Sequence, residues 1–155
     1  MVIVAPMPAA DGRLESVVLA EERLCLIVAA DHRFASRASV DLRQASDETF
    51  VGLTPEHGLR QVFDALCERA GFIPDLAFEG EEHETLRGLV RAGLGVAVLP
   101  RATYDDPALV EINLRDPAAR RHVGAVWQQG RRVAPAARRF ITFLATSGAK
   151  VLRGG

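Results

Sequence analysis

Two short polar stretches carry most of the residues whose types could do chemistry. Thr54-Pro55-Glu56-His57-Gly58 supplies a hydroxyl, an imidazole and a glycine that lets a ligand approach the backbone closely. Glu79-Gly80-Glu81-Glu82-His83-Glu84-Thr85 supplies a second imidazole, a second hydroxyl and four carboxylates. A third stretch, Ala5-Pro6-Met7, follows an aliphatic run. The candidate ligand contacts are therefore Thr54, Pro55, His57, Gly58, His83, Thr85, Pro6 and Met7. Each of the first two stretches precedes a helical pattern. Free N–H groups at a helix start, together with hydroxyls, suit a small organic anion. Glu56 and Glu82 would oppose an anion if they faced it, which leaves a neutral or cationic ligand open. The plainer reading makes Thr54 a helix cap and leaves His57 and His83 on the surface.

Other chemistries find no support. His83 begins no H-E-x-x-H pattern, because Arg87 stands where the second histidine would be. The remaining histidines, His32, His57 and His122, are far away in sequence, so no metal site is expected. Glu81 and Glu84 could act as paired carboxylates, but no nucleophile accompanies a base. There is no G-x-S-x-G motif and no phosphate loop, and no cofactor is expected. Trp127, the single tryptophan, is read as core or hinge packing, with a ligand wall as the second reading.

The elements around these residues can be read from apolar spacing. Val2 to Ala5 reads as a buried strand ended by Pro6 and Pro8. Residues 14–19 and 24–30 read as two strand segments. Residues 33–39 form a polar connection, and Val40 to Ala45 a short helix before a strand at Thr49 to Leu53. Leu59, Val62, Phe63, Leu66 and Ala70 share one helical face, which Gly71 ends in a left-handed turn. A strand at Asp75 to Phe78 precedes a second helix with Leu86, Leu89 and Val90 inward. Gly93 then takes the cap and Gly95 a tight turn into Val96-Ala97-Val98-Leu99, ended by Pro100. That aliphatic run reads as a strand of a parallel sheet buried on both faces. Further strands are expected at Leu109 to Leu114 and Val123 to Trp127. A last helix starts near Pro135 and buries Ala137, Phe140, Ile141 and Leu144. Alternating strands and helices imply an α/β layer architecture.

Composition fits a soluble globular protein: 155 residues, 48% hydrophobic, 25% charged, net charge −1. The charge is unevenly spread. Residues 1–114 carry 10 basic and 19 acidic side chains, and residues 115–155 carry 9 and 1. The basic tail shows separated arginine pairs without interleaved aromatics, which reads as a solvated or internally paired face. Cys25 and Cys67 stand alone inside apolar patterns, as buried thiols in a reducing compartment do. No run approaches the roughly 20 apolar residues of a membrane span, and the N-terminus lacks a signal-peptide pattern. A cytoplasmic location without membrane contact is expected.

The order of these pieces resembles the effector-binding domain of LysR-type transcriptional regulators. LVRAGLGVAVLP at 89–100 is the most specific piece, followed by DHRFA at 31–35 and VWQQGRRVAPAARRFITFL at 126–144. The resemblance implies a type II periplasmic-binding-protein-like fold: two Rossmann-like α/β lobes joined by crossover strands, with a small-molecule cleft between them. It assigns residues 1–22 and 126–147 to the first lobe and 23–125 to the second; residues 148–155, after Ser147-Gly148, read by themselves as a flexible tail. The family's winged helix-turn-helix and the opening elements of its first lobe have no counterpart here. The first lobe is thus expected to be incomplete and to self-associate, and DNA contact to need a missing N-terminal domain. The implied partner is a small organic effector. Two other readings are a solute-binding protein of the same fold, marked by a secretion signal, and a small enzyme acting on organic acids, marked by turnover.

Overall fold

The structure is a computed structural model that describes residues 2–7, 12–130, 134–143 and 146. In chain order its elements are β1 (Val2–Val4), β2 (Leu14–Ala29), β3 (Ser39–Val40), a 3-10 turn (Leu42–Ala45), β4 (Thr49–Leu53), α1 (Gly58–Ala70), β5 (Asp75–Gly80), α2 (His83–Arg91), β6 (Ala97–Pro100), β7 (Leu109–Leu114), β8 (Arg120–Gln128) and α3 (Pro135–Phe143). They fall into two compact units, Met1–Glu22 with Arg121–Gly155, and Arg23–Arg120.

In the first unit β1 pairs antiparallel with β8, Val2 opposite Val126 and Val4 opposite Gly124. Leu19 and Ala125 are buried, with Val17, Trp127 and Ile141 packed against them. Trp127 donates its indole N–H to Glu15 at 2.9 Å, so it serves packing and anchoring together. Two expectations fail here. Val2 and Ile3 are exposed, 61% and 48%, because β1 is a short strand with little apolar cover in this unit. α3 buries none of its residues, and Phe140 is exposed, while Ile141 makes the contact with the core. Leu144 and residues 148–155 lie outside the described residues.

The second unit holds the main core, a continuous cluster that includes Leu26, Phe50, Phe63, Leu86, Val98 and Ile112. β4 and β5 run parallel, Thr49 opposite Asp75 and Leu53 opposite Gly80. Val96 adds a parallel bridge to Phe50. The end of β2 pairs antiparallel with β6 and with β7, while β3 joins β7 in parallel. The aliphatic run at 96–99 is therefore buried as expected but mainly antiparallel. The expected helix at 40–45 is one 3-10 turn, capped by Asp41. The two strand segments expected at 14–19 and 24–30 are one strand of 16 residues. Its polar middle stays in the ladder because Glu22 meets Arg121 at 2.6 Å and Glu21 meets His122 at 3.1 Å.

Glycines set the two turns that shape this unit. Gly71 closes α1 at φ 82°, a left-handed value that costs other residues energy. Gly95 sits at φ 154°, and a Cβ there would meet the Thr49 carbonyl oxygen at 2.7 Å. That close approach is what lets the Val96 N–H donate to the Thr49 carbonyl and the Val51 N–H to the Val96 carbonyl, both at 2.9 Å.

Candidate functional site

The parallel pair β4–β5 determines which polar groups meet. α1 leaves from the C-terminal end of β4, and α2 from the C-terminal end of β5. Neighbouring parallel strands thus aim two helix N-termini at one face, the place where α/β folds gather ligand contacts. The loop 54–57 is held by backbone bonds from Thr54 N–H to the Gly80 carbonyl and from His57 N–H to the Thr54 carbonyl, both 3.0 Å.

His57, not Thr54, caps α1. Its Nδ1 accepts the Leu59 N–H at 3.3 Å, with the His57 backbone extended. A nitrogen that accepts carries no proton, so the neutral ring bears its proton on Nε2. The His83 ring, at the start of α2, lies 5.8 Å from the His57 ring centre to centre. Glu82 precedes α2 without a side-chain capping bond, so no carboxylate of its own closes the helix start. Thr54, His57, Gly58 and His83 are half-buried, and Pro55 and Thr85 are exposed. Pro6 and Met7 are in the first unit, where the Met7 sulfur packs over Gly124.

Arg60, which sequence reasoning passed over, ties this face together. It donates to the Leu53 carbonyl at 2.8 Å, to Glu79 at 2.5 Å and to Asp64 at 2.9 Å. Burial works against its charge, but the Glu79 and Asp64 carboxylates outweigh that and hold its proton more tightly than usual. One guanidinium thus fixes the first turn of α1 to the ends of both strands. A basic residue one turn into a helix, four positions before an acid, was the available signal.

Open depressions also mark the second unit, the first of them sharing Arg60 with this face. One of about 620 Å³ is bordered by Arg60, Phe72, Ile73 and Leu76. One of about 770 Å³ lies beside His32, Glu48 and Gly95, and one of about 440 Å³ beside Arg101, Tyr104 and Asp106. Several of their polar groups are paired: His32 meets Glu48 at 3.2 Å, Arg33 meets Asp47 at 2.6 Å, and Arg91 bonds Asp106. Among the described residues no group of three or more His, Cys, Asp or Glu is arranged to hold a metal ion. Among them, too, no helix is long and apolar enough to cross a membrane.

A mixed α/β chain with paired helix starts at parallel strand ends has the form of a periplasmic-binding-protein-like ligand domain. The LysR substrate binding domain matches residues 1–149, and the chain belongs to that family. It is 36% identical over 131 residues to YybE of Bacillus subtilis, an uncharacterized HTH-type transcriptional regulator, covering 84% of this chain and 45% of that protein. With GltC of the same organism, a transcriptional dual regulator, it shares 29% over 147 residues, 93% of this chain and 49% of that one. The crystal structure of HinK, a LysR family transcriptional regulator from Pseudomonas aeruginosa, superposes with a TM-score of 0.79 at 26% identity, covering 96% of this chain and 54% of that one. The chain spans about half the length of the curated relatives it matches.

Proposed function

We propose that this chain is the effector-sensing part of a LysR-type transcriptional regulator, and that the starts of α1 and α2 supply effector contacts. The carrying observation is the convergence of His57 and His83, 5.8 Å apart, at the ends of two neighbouring parallel strands. Thr54, His57, Gly58, His83 and Thr85 are the proposed contacts on this face. Pro6 and Met7 remain proposed contacts of the first unit. The polar convergence is preferred to the three depressions because a ligand there need not break existing ion pairs.

The ligand favoured is a small organic acid. Two helix starts offer N–H groups and positive dipole ends, and His57 offers Nε2–H as a donor. In a complete regulator, effector binding shifts the balance between two arrangements only by its differential affinity for them. DNA contact belongs to that complete protein, while self-association through the first unit is proposed for this chain. A thermal-shift screen of the chain with small carboxylates, repeated on Thr54→Ala and His57→Ala, tests the site. A carboxylate that raises the melting temperature of the parent chain but of neither variant supports it. Equal shifts in all three proteins remove this loop from the site.

A further inference from the structure

The cap of α1 is an unusual one. Helices are ordinarily capped by Ser, Thr, Asp or Asn, whose side-chain oxygens accept a hydrogen bond throughout the neutral range. Here the acceptor is the imidazole Nδ1 of His57, 3.3 Å from the Leu59 nitrogen. An imidazole nitrogen accepts only while it carries no proton. We infer that His57 is a proton-sensitive helix cap, whose bond to Leu59 is present in the neutral ring and lost when Nδ1 is protonated.

The chemistry is a change of hydrogen-bond role. A proton taken from water onto Nδ1 turns that atom from acceptor to donor. The Leu59 N–H then loses its partner, and two donors face each other. Among side chains, histidine is the one whose ordinary change of charge falls between pH 5 and 8, the window the experiment below spans. The backbone bonds His57 N–H to Thr54 and Arg60 N–H to the His57 carbonyl, 3.0 and 2.9 Å, do not depend on the ring. The helix therefore persists while its first turn and the loop 54–57 loosen.

The charged groups around the ring come from four elements. Glu56 shares its loop and is exposed. In α1 and β5, Asp64 and Glu79 are each bonded by Arg60. Before and within α2 stand the exposed Glu81 and Glu82, and Glu84, which is bonded by the Tyr104 hydroxyl and lies 3.8 Å from Arg87. His83 is the second titratable ring, and two imidazolium rings at 5.8 Å repel. The carboxylates at the surface act through water and are screened by salt.

Weaker ligand binding in acid follows if this face is the effector site, and so rests on the proposal above. The cap itself does not. Amide exchange at Leu59 in the complete chain, compared at pH 7.5 and 5.5 after correction for intrinsic rates, reads it directly. The parent protein should lose about fivefold in protection at the lower pH, the size of an ordinary cap contribution. His57→Asn and His57→Ser, which cap through oxygen, should lose none. Long-range 1H–15N spectra should show Nδ1 unprotonated at pH 7.5. Equal losses in the parent and both variants, or a proton on Nδ1 at pH 7.5, overturn the inference. Failure of the effector-site reading alone would leave both readouts as stated.

Discussion

The Arg87 guanidinium is buried in the second unit, 2.8 Å from the Glu111 carboxylate and 2.6 Å from the Pro100 carbonyl oxygen. Its side chain is 4% exposed. It fastens α2 to the end of β6 and to β7, and Glu111 accepts the Ala102 N–H at 2.8 Å as well. Removing Arg87 leaves Glu111, 19% exposed, with the Ala102 N–H and Arg101 at 3.6 Å, and leaves the Pro100 carbonyl without its donor. Arg87→Ala is expected to destabilise by about 3 kcal/mol, the low end for a broken buried pair, measured as the urea midpoint. Arg87→Met, which refills the volume, should lose less than Arg87→Ala.

Two glycines of the α2–β6 region predict opposite signs. A Cβ on Gly95 would meet the Thr49 carbonyl at 2.7 Å, and its φ of 154° is strained for other residues. Gly95→Ala should destabilise by about 1–3 kcal/mol. Gly88 lies within α2, and a Cβ there meets nothing within 4 Å. Gly88→Ala should stabilise by about 0.4–1 kcal/mol through helix propensity and a less flexible unfolded chain. Thermal unfolding of the two variants side by side checks the pair.

Both cysteines should be inert while the protein is folded. Burial pushes the Cys67 thiol up to about 12, with Asp64 adding to the effect. Burial also raises the Cys25 thiol. The thiolate is the reactive form, so neither should react with a thiol reagent at pH 8. Both should react in urea. One equivalent of rapid labelling without urea would contradict their burial.

Acid should weaken the fold through Asp116. The Arg69 guanidinium beside it, with the Ala118 N–H, holds its carboxyl below the usual range. Arg91 and the Ala108 N–H do the same for Asp106 at the surface. A depressed folded value gives stability that is present above the unfolded carboxylate value, about 3.9, and is lost as pH falls through the folded one. Asp116→Asn should be less stable than the parent at pH 6, with the difference shrinking below about pH 4. Urea titrations across that window give the comparison.

Much of this fold can be read from local pattern. The strands at Thr49–Leu53 and Leu109–Leu114 and the helix ended by Gly71 follow from apolar period and glycine placement. The misreadings share one physical origin, in that distant partners decide them. Ala20-Glu21-Glu22-Arg23 reads as a break in β2 until Arg121 and His122 supply counter-charges. A run buried on both faces looks the same in parallel and antiparallel ladders, so β6 could not reveal its partner β2. The structural role of Arg87 is not visible in local pattern, because its acceptors are 13 and 24 residues away. At the candidate site the helix starts were legible, but the capping role of His57 was not, since Thr54 is the commoner residue type for it.

A contact site at the starts of α1 and α2 is tested most directly by mapping backbone amide shifts during titration with a carboxylate that raises the melting temperature. The predicted result is saturable shifts in residues 54–59 and 82–85, reduced in His57→Ala. Shifts that leave those residues unmoved and cluster instead around Phe72, Ile73 and Leu76 would contradict it.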